Sequence, residues 1–218
     1  MPPTTQSRER IIEAAMELFA FQGYGPTGLS QIAEKAGVQS GSIYHFFPTK
    51  EHVLAATLER RKALLWPELL SPVWDKVDDP IERVFALLDQ YRRMLHITEF
   101  SHGCPIGNLA IELTESHPNS RRLIAENFDG WLRAIAECFR AASGRLPTGI
   151  EPEKLAIFVL TTMEGAVMLA RTYRDFRAYD AAVGTLRDYI DRLVASETDW
   201  SAPPSSNHPE ARRKRPLK

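Results

Sequence analysis

Two short helical stretches hinged on one glycine, Leu29–Ala36 and Ser40–Phe46 about Gly37, constrain this chain more than any other feature of its sequence. Such a pair must cross closely over a tight turn, and the residues suit that geometry. Ala33 is small enough for the crossing, and Gly37 can take the left-handed conformation that ends one helix and redirects the chain. Ile32, Ala36, Val38, Ile43 and Phe47 supply apolar contacts to a preceding helix, expected over Ser7–Phe21. There Ile11, Ala15 and Leu18 recur one turn apart, with Phe19 beside them. Gly23-Tyr24-Gly25-Pro26 stops that helix, and Pro48-Thr49 breaks the chain again before a longer helix running towards Leu64. The expectation is a compact three-helix head, residues 1–53, built around a helix-turn-helix.

The second helix of the pair is expected to turn Gln39, Ser40, Ser42, Tyr44, His45 and Phe46 outward. Hydroxyl, amide and imidazole groups of this reach can meet phosphate oxygens and base edges. Gly41 leaves no side chain to hold the backbone off a duplex. Lys50, in the first turn of the following helix, combines its charge with free backbone N–H groups as an expected phosphate clamp, and Thr27 is placed to do the same across the groove. Charge alone does not announce this role. Residues 1–62 hold seven basic side chains (Arg8, Arg10, Lys35, Lys50, Arg60, Arg61, Lys62) against six acidic ones (Glu9, Glu13, Glu17, Glu34, Glu51, Glu59). The whole chain carries a formal net charge of −1, so any nucleic-acid contact must come from a local surface.

The run TGLSQIAEKAGVQSGSIYHFFPTKEHVL resembles the head of the TetR family of bacterial transcriptional regulators. The resemblance implies that Ser42, Tyr44, His45 and Lys50 contact phosphates, and that Gln39, Ser40 and Gly41 lie where the reading helix meets bases. This sequence departs from the family pattern at three places. Gly28 stands where a threonine usually caps the second helix, Gln31 replaces a usual aspartate, and Ser40 sits where lysine or arginine is frequent. The first weakens a cap, and the last removes a candidate bidentate contact to guanine. The resemblance further implies an all-α fold of about nine helices and a larger ligand-binding and dimerisation body. In that body the last two helices would pair with those of a second copy. The function it implies is a homodimeric repressor released from a palindromic operator by a small molecule.

Beyond Trp66 the pattern stays helical, and the alternating runs that mark strands are missing. Helices are expected over Pro80–Ile97, Ile106–Thr114, Pro118–Ala142, Pro152–Arg177 and Tyr179–Ser196, so that residues 54–196 form the body. Residues 197–218, with four prolines and the basic run ARRKR, read as a disordered tail. At 44% hydrophobic and 25% charged residues the chain can bury a sizeable core. No apolar stretch approaches the roughly 20 residues of a membrane span, and the start MPPTTQSRER lacks a signal-peptide core. Cys104 and Cys138 lie far apart without metal-ligand spacing, which fits a reducing cytoplasm.

Aromatic and polar groups mix in the middle of the chain, where the resemblance places an effector cavity: Trp66, Phe85, Tyr91, Arg92, Cys104, Asn108, Glu112, Phe128 and Trp131. Asn108 and Glu112 are four apart and share one helix face, able either to orient a ligand or to brace neighbouring helices. Glu164 and Arg171, inside an apolar stretch, face the same choice. In HGCPIGNLAIEL, Cys104 precedes a helix whose dipole would lower the thiol pKa, with His102 nearby to assist. This segment resembles the glycine-cysteine turn of family members that sense electrophiles through a cysteine; a structural cysteine is the alternative. His96, His102, Cys104 and His117 match no common zinc spacing. No Gly-rich phosphate loop, nucleophile elbow or metal triad appears, so neither enzyme activity nor a cofactor is expected. The expected partners are double-stranded operator DNA, a small-molecule effector and a second copy of the chain, with no membrane.

Overall fold

A computed structural model describes residues 5–113 and 117–196; the expected tail, 197–218, lies outside the described residues. Among the described residues ten α-helices follow one another, and no strand occurs. They are α1 (Thr5–Gln22), α2 (Leu29–Lys35), α3 (Ser40–Phe46), α4 (Lys50–Leu64), α5 (Ser71–Trp74), α6 (Pro80–Ile97), α7 (Pro105–Glu112), α8 (Pro118–Ala141), α9 (Pro152–Tyr173) and α10 (Arg177–Ala195).

The three N-terminal helices close around Ile11, Ala15, Phe19, Ile32 and Ile43, all essentially removed from solvent. Each of the large side chains stabilises the head by about 1.5–3 kcal/mol through the apolar surface it buries. The turn after α2 takes the form its glycine predicts. Gly37 has φ +62°. Its N–H donates to the Glu34 carbonyl at 3.0 Å while the Val38 N–H reaches the Ala33 carbonyl at 3.0 Å, the paired bonds of a Schellman end. At the start of α2, Gly28 offers no side-chain cap. The amide oxygen of Gln31 instead reaches back to the Gly28 N–H at 2.8 Å, and Gln22 of α1 donates to the Thr27 hydroxyl at 3.1 Å and to the Gln31 oxygen at 3.3 Å. The glutamine pair thus supplies the reciprocal half of a capping box at Gly28, while the half a threonine side chain would supply is missing.

α4 leads from the head into the body. Thr49 caps its start by accepting the His52 N–H, and Val53, Leu54, Thr57 and Leu58 face inward. Asn127 of α8, buried between the two helices, donates to the Leu58 carbonyl at 3.1 Å and to the Leu123 carbonyl at 2.9 Å. The sequence reading stops at Leu64, but the chain continues through one wide π turn, Leu65–Leu70, into α5. Pro67 lies in that turn; it lacks an N–H, and its ring crowds the normal helical ladder, which favours the wider winding.

In the body, Asp79 caps α6 by accepting the N–H groups of Ile81 at 2.8 Å and Glu82 at 3.1 Å, with Pro80 at the first helical position. α9 runs between α8 and α10 and buries Leu155, Ala156, Val159, Met163, Ala166, Val167 and Ala170. Its 22 residues have the length and apolarity of a membrane span, and this buried face accounts for much of that apolarity. It ends at Tyr173, earlier than its periodicity suggests, because Arg174 takes a left-handed conformation at φ +54°. α10 docks back on α6: the Tyr179 hydroxyl donates to the Leu88 carbonyl at 2.7 Å, and Arg187 pairs with Glu82 while lying 3.5 Å from the centre of the Phe85 ring.

Candidate nucleic-acid interface and the cavity behind it

α3 keeps Ile43 and the following Phe47 inside and turns its polar face out. Gln39, Ser40, Gly41, Tyr44 and His45 are exposed, and Ser42 is half-buried. Tyr44 is 58% exposed, so its ring contributes little to the core and is available to a partner. A Cβ added to Gly41 would meet nothing within 4 Å. Folding therefore does not demand glycine there; what glycine provides is a flat start to the helix. Phe46 departs from its expected outward position. It is half-buried, with its ring edge-on to His45 at 5.1 Å and against Phe47 at 6.5 Å.

The turn entering α2 is gripped from two sides. Thr27 is buried, and its hydroxyl donates to the Gly23 carbonyl at 2.6 Å, which shapes the turn. Lys50 Nζ donates to the carbonyls of Tyr24 at 2.9 Å, Gly25 at 3.3 Å and Thr27 at 3.0 Å, and stands 4.1 Å from the centre of the Tyr24 ring. An ammonium has three protons to donate, and three carbonyls take them. Partial burial draws its pKa below the usual lysine value, against the pull of the Glu112 carboxylate. The side chains of Thr27 and Lys50, expected to meet phosphate, are thus engaged inward in this state. From the other side, Glu112 at the end of α7 accepts the Tyr24 N–H at 2.7 Å and the Gly25 N–H. A Cβ at Gly23 would come within 2.9 Å of Glu112 Oε2, and one at Gly25 within 3.0 Å of Oε1. Both glycines make room for that carboxylate.

α7, α8 and α9 line a solvent-open cavity of about 960 Å³. Cys104, Gly107 and Asn108 line it from the α7 side, Phe128 from α8, and Glu164 and Arg171 from α9. Among the described residues the non-glycine left-handed conformations are Glu99, Phe100 and Arg174, and the last two line this cavity. Arg174 Nη2 also donates to the Glu99 carbonyl at 2.9 Å, so the strained positions are tied to one another. Backbone held in such regions costs about 1–3 kcal/mol per residue and gathers at functional sites. Cys104 is 2% exposed. Burial, reinforced by the neighbouring Glu164 carboxyl, pushes its thiol up to about 12. This reverses the lowering expected from the dipole of α7: desolvation of the thiolate outweighs an eight-residue helix. His102 turns to Ser101 Oγ at 2.8 Å and to the Phe21 ring at 5.6 Å.

Comparison with known proteins finds two family matches along the chain. Residues 11–57 match the family described as bacterial regulatory proteins, tetR family, and residues 80–186 match the tetracyclin repressor-like C-terminal domain. The HTH-type transcriptional regulator YxaF of Bacillus subtilis is 30% identical over 172 residues, covering 78% of this chain and 87% of its own length. The chain belongs to the TetR family. An HTH-type transcriptional regulator of Mycobacterium tuberculosis is 29% identical over 192 residues, 84% of this chain and 93% of that protein. A TetR transcriptional regulator from Chloroflexus aurantiacus, solved as a crystal structure, superposes with a TM-score of 0.73 at 28% identity, over 86% of this chain and 95% of that one.

In this TetR-family DNA-binding regulator the residues expected around an effector scatter. Cys104, Asn108 and Phe128 line the cavity. Tyr91 and Trp131 are buried one layer behind it, ring against ring at 6.0 Å, with the Tyr91 hydroxyl 4.0 Å from Cys104 Sγ. Phe85 is buried beneath Arg187. Arg92 makes a two-pronged pair with Asp180, at 2.7 and 3.0 Å, and covers the Phe176 ring. Trp66 is exposed and meets Trp74 edge-on at 6.1 Å, and Glu112 belongs to the head contact. The residues that complete the cavity, Phe100, Glu164 and Arg171 among them, come from the α6–α7 connection and from α9. The readable signal for the last two was a pair of ionisable residues, seven apart, inside an apolar helix.

Proposed function

We propose that this TetR-family regulator is a homodimeric repressor that leaves a palindromic operator when a small molecule fills the cavity in its body. The observation that carries the reading is the double attachment of α7. Asn108 walls the cavity and holds Arg171 Nη1 at 2.8 Å, while Glu112, one helical turn on, holds the turn that leads into α2. A ligand that displaces α7 at Asn108 moves Glu112, and with it the Tyr24–Gly25 turn and the reading pair. Release then follows from differential affinity, because the ligand favours a head spacing that no longer matches successive major grooves, roughly 34–36 Å apart.

In this reading Gln39, Ser40 and Gly41 meet base edges, and Ser42, Tyr44 and His45 meet phosphates. Thr27 and Lys50 hold the turn that orients them. The head, residues 1–53, and the body, 54–196, act as the reading and sensing parts. Dimerisation uses the outer face of α9 and α10, where Ile157, Phe158, Met168, Leu169, Tyr173 and Tyr189 are exposed and Phe158 and Tyr189 meet edge-on at 5.7 Å. The C-terminal match to a tetracyclin repressor-like domain supports repression. Sensing by non-covalent occupancy is favoured over thiol chemistry because Cys104 is buried and its thiolate disfavoured.

The test is selection of bound fragments from the source genome by the full-length protein, repeated with Tyr44→Ala and Gln39→Ala. A palindromic site bound by wild type and weakened in both variants is the expected result. Absent or sequence-independent binding by the intact dimer overturns the reading.

A further inference from the structure

Two ionisable side chains of α9 enter the cavity through space that two glycines keep open. A Cβ on Gly107 would stand 2.2 Å from Glu164 Oε2, and one on Gly103 would stand 2.8 Å from both Cδ and Nη1 of Arg171. The glycines on either side of Cys104 therefore accommodate a carboxyl and a guanidinium. Neither group is fully used by the protein. Arg171 Nη1 donates to Asn108 and Nη2 reaches the Ser101 carbonyl at 3.5 Å, yet its Nε is buried without a partner, and so is Glu164 Oε1. Buried polar atoms are normally satisfied, so two orphans on residues that line one cavity leave unmet bonding in its wall, which a ligand can complete once either side chain turns.

The two groups differ in charge. Arg171 brings a guanidinium, whereas burial raises the Glu164 pKa and favours its neutral form. Arg174 adds a second guanidinium to the lining. Phe100, Phe128 and Val167 supply apolar walls. We propose that the cavity takes an amphipathic organic anion: an apolar or aromatic body with a carboxylate at Arg171 and a second oxygen group at Glu164, about two turns away along α9. The two positions are seven apart in the sequence, about 10 Å of helix rise between their backbones. A carboxylate gives Arg171 Nε its missing acceptor in a two-pronged pair, and a hydroxyl or phenol donates to Glu164 Oε1. This assignment rests on the cavity being the effector site and names what that site selects.

Calorimetric titration of the full-length dimer with para-hydroxyphenylbutanoate, its primary amide, the corresponding amine and unsubstituted phenylbutanoate tests it. The acid is expected to bind at least about 10-fold more tightly than the amide or the amine, as one charge-assisted bond pair requires. Arg171→Gln erases that preference and Arg171→Lys retains part of it. Glu164→Leu brings the acid down to the affinity of phenylbutanoate. The anion assignment is overturned if the amide or amine binds as well as the acid, or if folded Arg171→Gln keeps the wild-type affinity. It is equally overturned by no saturable binding of the acid up to about 1 mM. Operator occupancy measured in the same samples separates the two readings. An amine that binds and releases DNA overturns the anion and leaves the effector site, whereas an acid that binds without release supports the anion and overturns release.

Discussion

Glu112 Oε2 lies 2.7 Å from the Tyr24 amide nitrogen, a bond across 88 sequence positions that joins the end of a cavity-lining helix to the turn before the reading pair. Because Glu112 is exposed, its share in stability is modest. Glu112→Ala is expected to lower unfolding stability by about 1 kcal/mol, the net worth of exposed charge-assisted bonds. Its larger effect falls on coupling. Operator binding persists, but ligand-induced release weakens, which a titration of operator with and without ligand reads directly. Release at wild-type ligand concentrations would break the proposed route through α7.

Lys50 offers a test by salt. If its ammonium met a phosphate in the complex, replacing it would lower the slope of log affinity against log salt by roughly 1 per head. With its three protons on carbonyls of the turn, Lys50→Met is instead expected to reduce stability by about 1–2 kcal/mol and weaken operator binding at an unchanged slope. Unfolding by denaturant and binding at several salt concentrations distinguish the outcomes.

Gly107→Ala separates folding from recognition. The atom that an added Cβ meets is the far end of Glu164, which can rotate away. Alanine also favours the helix by nearly 1 kcal/mol. Thermal stability should hold within about 1 kcal/mol of wild type while affinity for a cavity ligand drops. A variant that binds ligand unchanged would show that the Glu164 position is immaterial.

A thiol held at about 12 is a poor nucleophile. Iodoacetamide should modify Cys104 in the native protein roughly 10³-fold more slowly than an unperturbed thiol, with normal labelling after denaturation. Peptide mass spectrometry reads the site. Cys104→Ser should keep operator release intact.

Asp79 links the start of α6 to the turn after α8. Arg145 above all, and then the N–H groups of Glu82 and Ile81, hold its carboxyl below the usual carboxylate range. A depressed folded-state pKa contributes stability that is present above the unfolded value and lost as pH falls through the folded one. Asp79→Ala should therefore cost about 1 kcal/mol at neutral pH, mostly the cap, since the pair is partly exposed. The gap from wild type should narrow below about pH 4, as acid unfolding of the two proteins would show.

The parts legible in the sequence were those set by neighbours along the chain. Gly37 and the prolines at 48, 80, 105, 118 and 152 marked where helices start and stop, Ala33 marked where two of them cross, and α3 and α6 occupy the spans expected of them. The cavity was less legible because its wall is assembled from distant segments. Arg92 looked like a ligand contact until Asp180, 88 positions on, took it. Glu112 looked like part of a pocket because nothing local shows that it reaches Tyr24. Cys104 carried a local cue, the helix dipole, and an invisible one, its burial under Tyr91 and Glu164; the invisible one is larger.

Lys50 does for the head what a bound metal ion does for a small metal-stapled domain. One positive centre gathers three backbone oxygens and an aromatic face around itself. It fastens the root of α4 to the turn that leads into α2, so those two pieces cannot shift independently. A push delivered at Tyr24 is then not absorbed where it lands. In the proposed mechanism it turns the reading helix as a lever turns about a pinned joint, and a displacement too small to unfold anything would carry Tyr44 away from the phosphate it is proposed to meet.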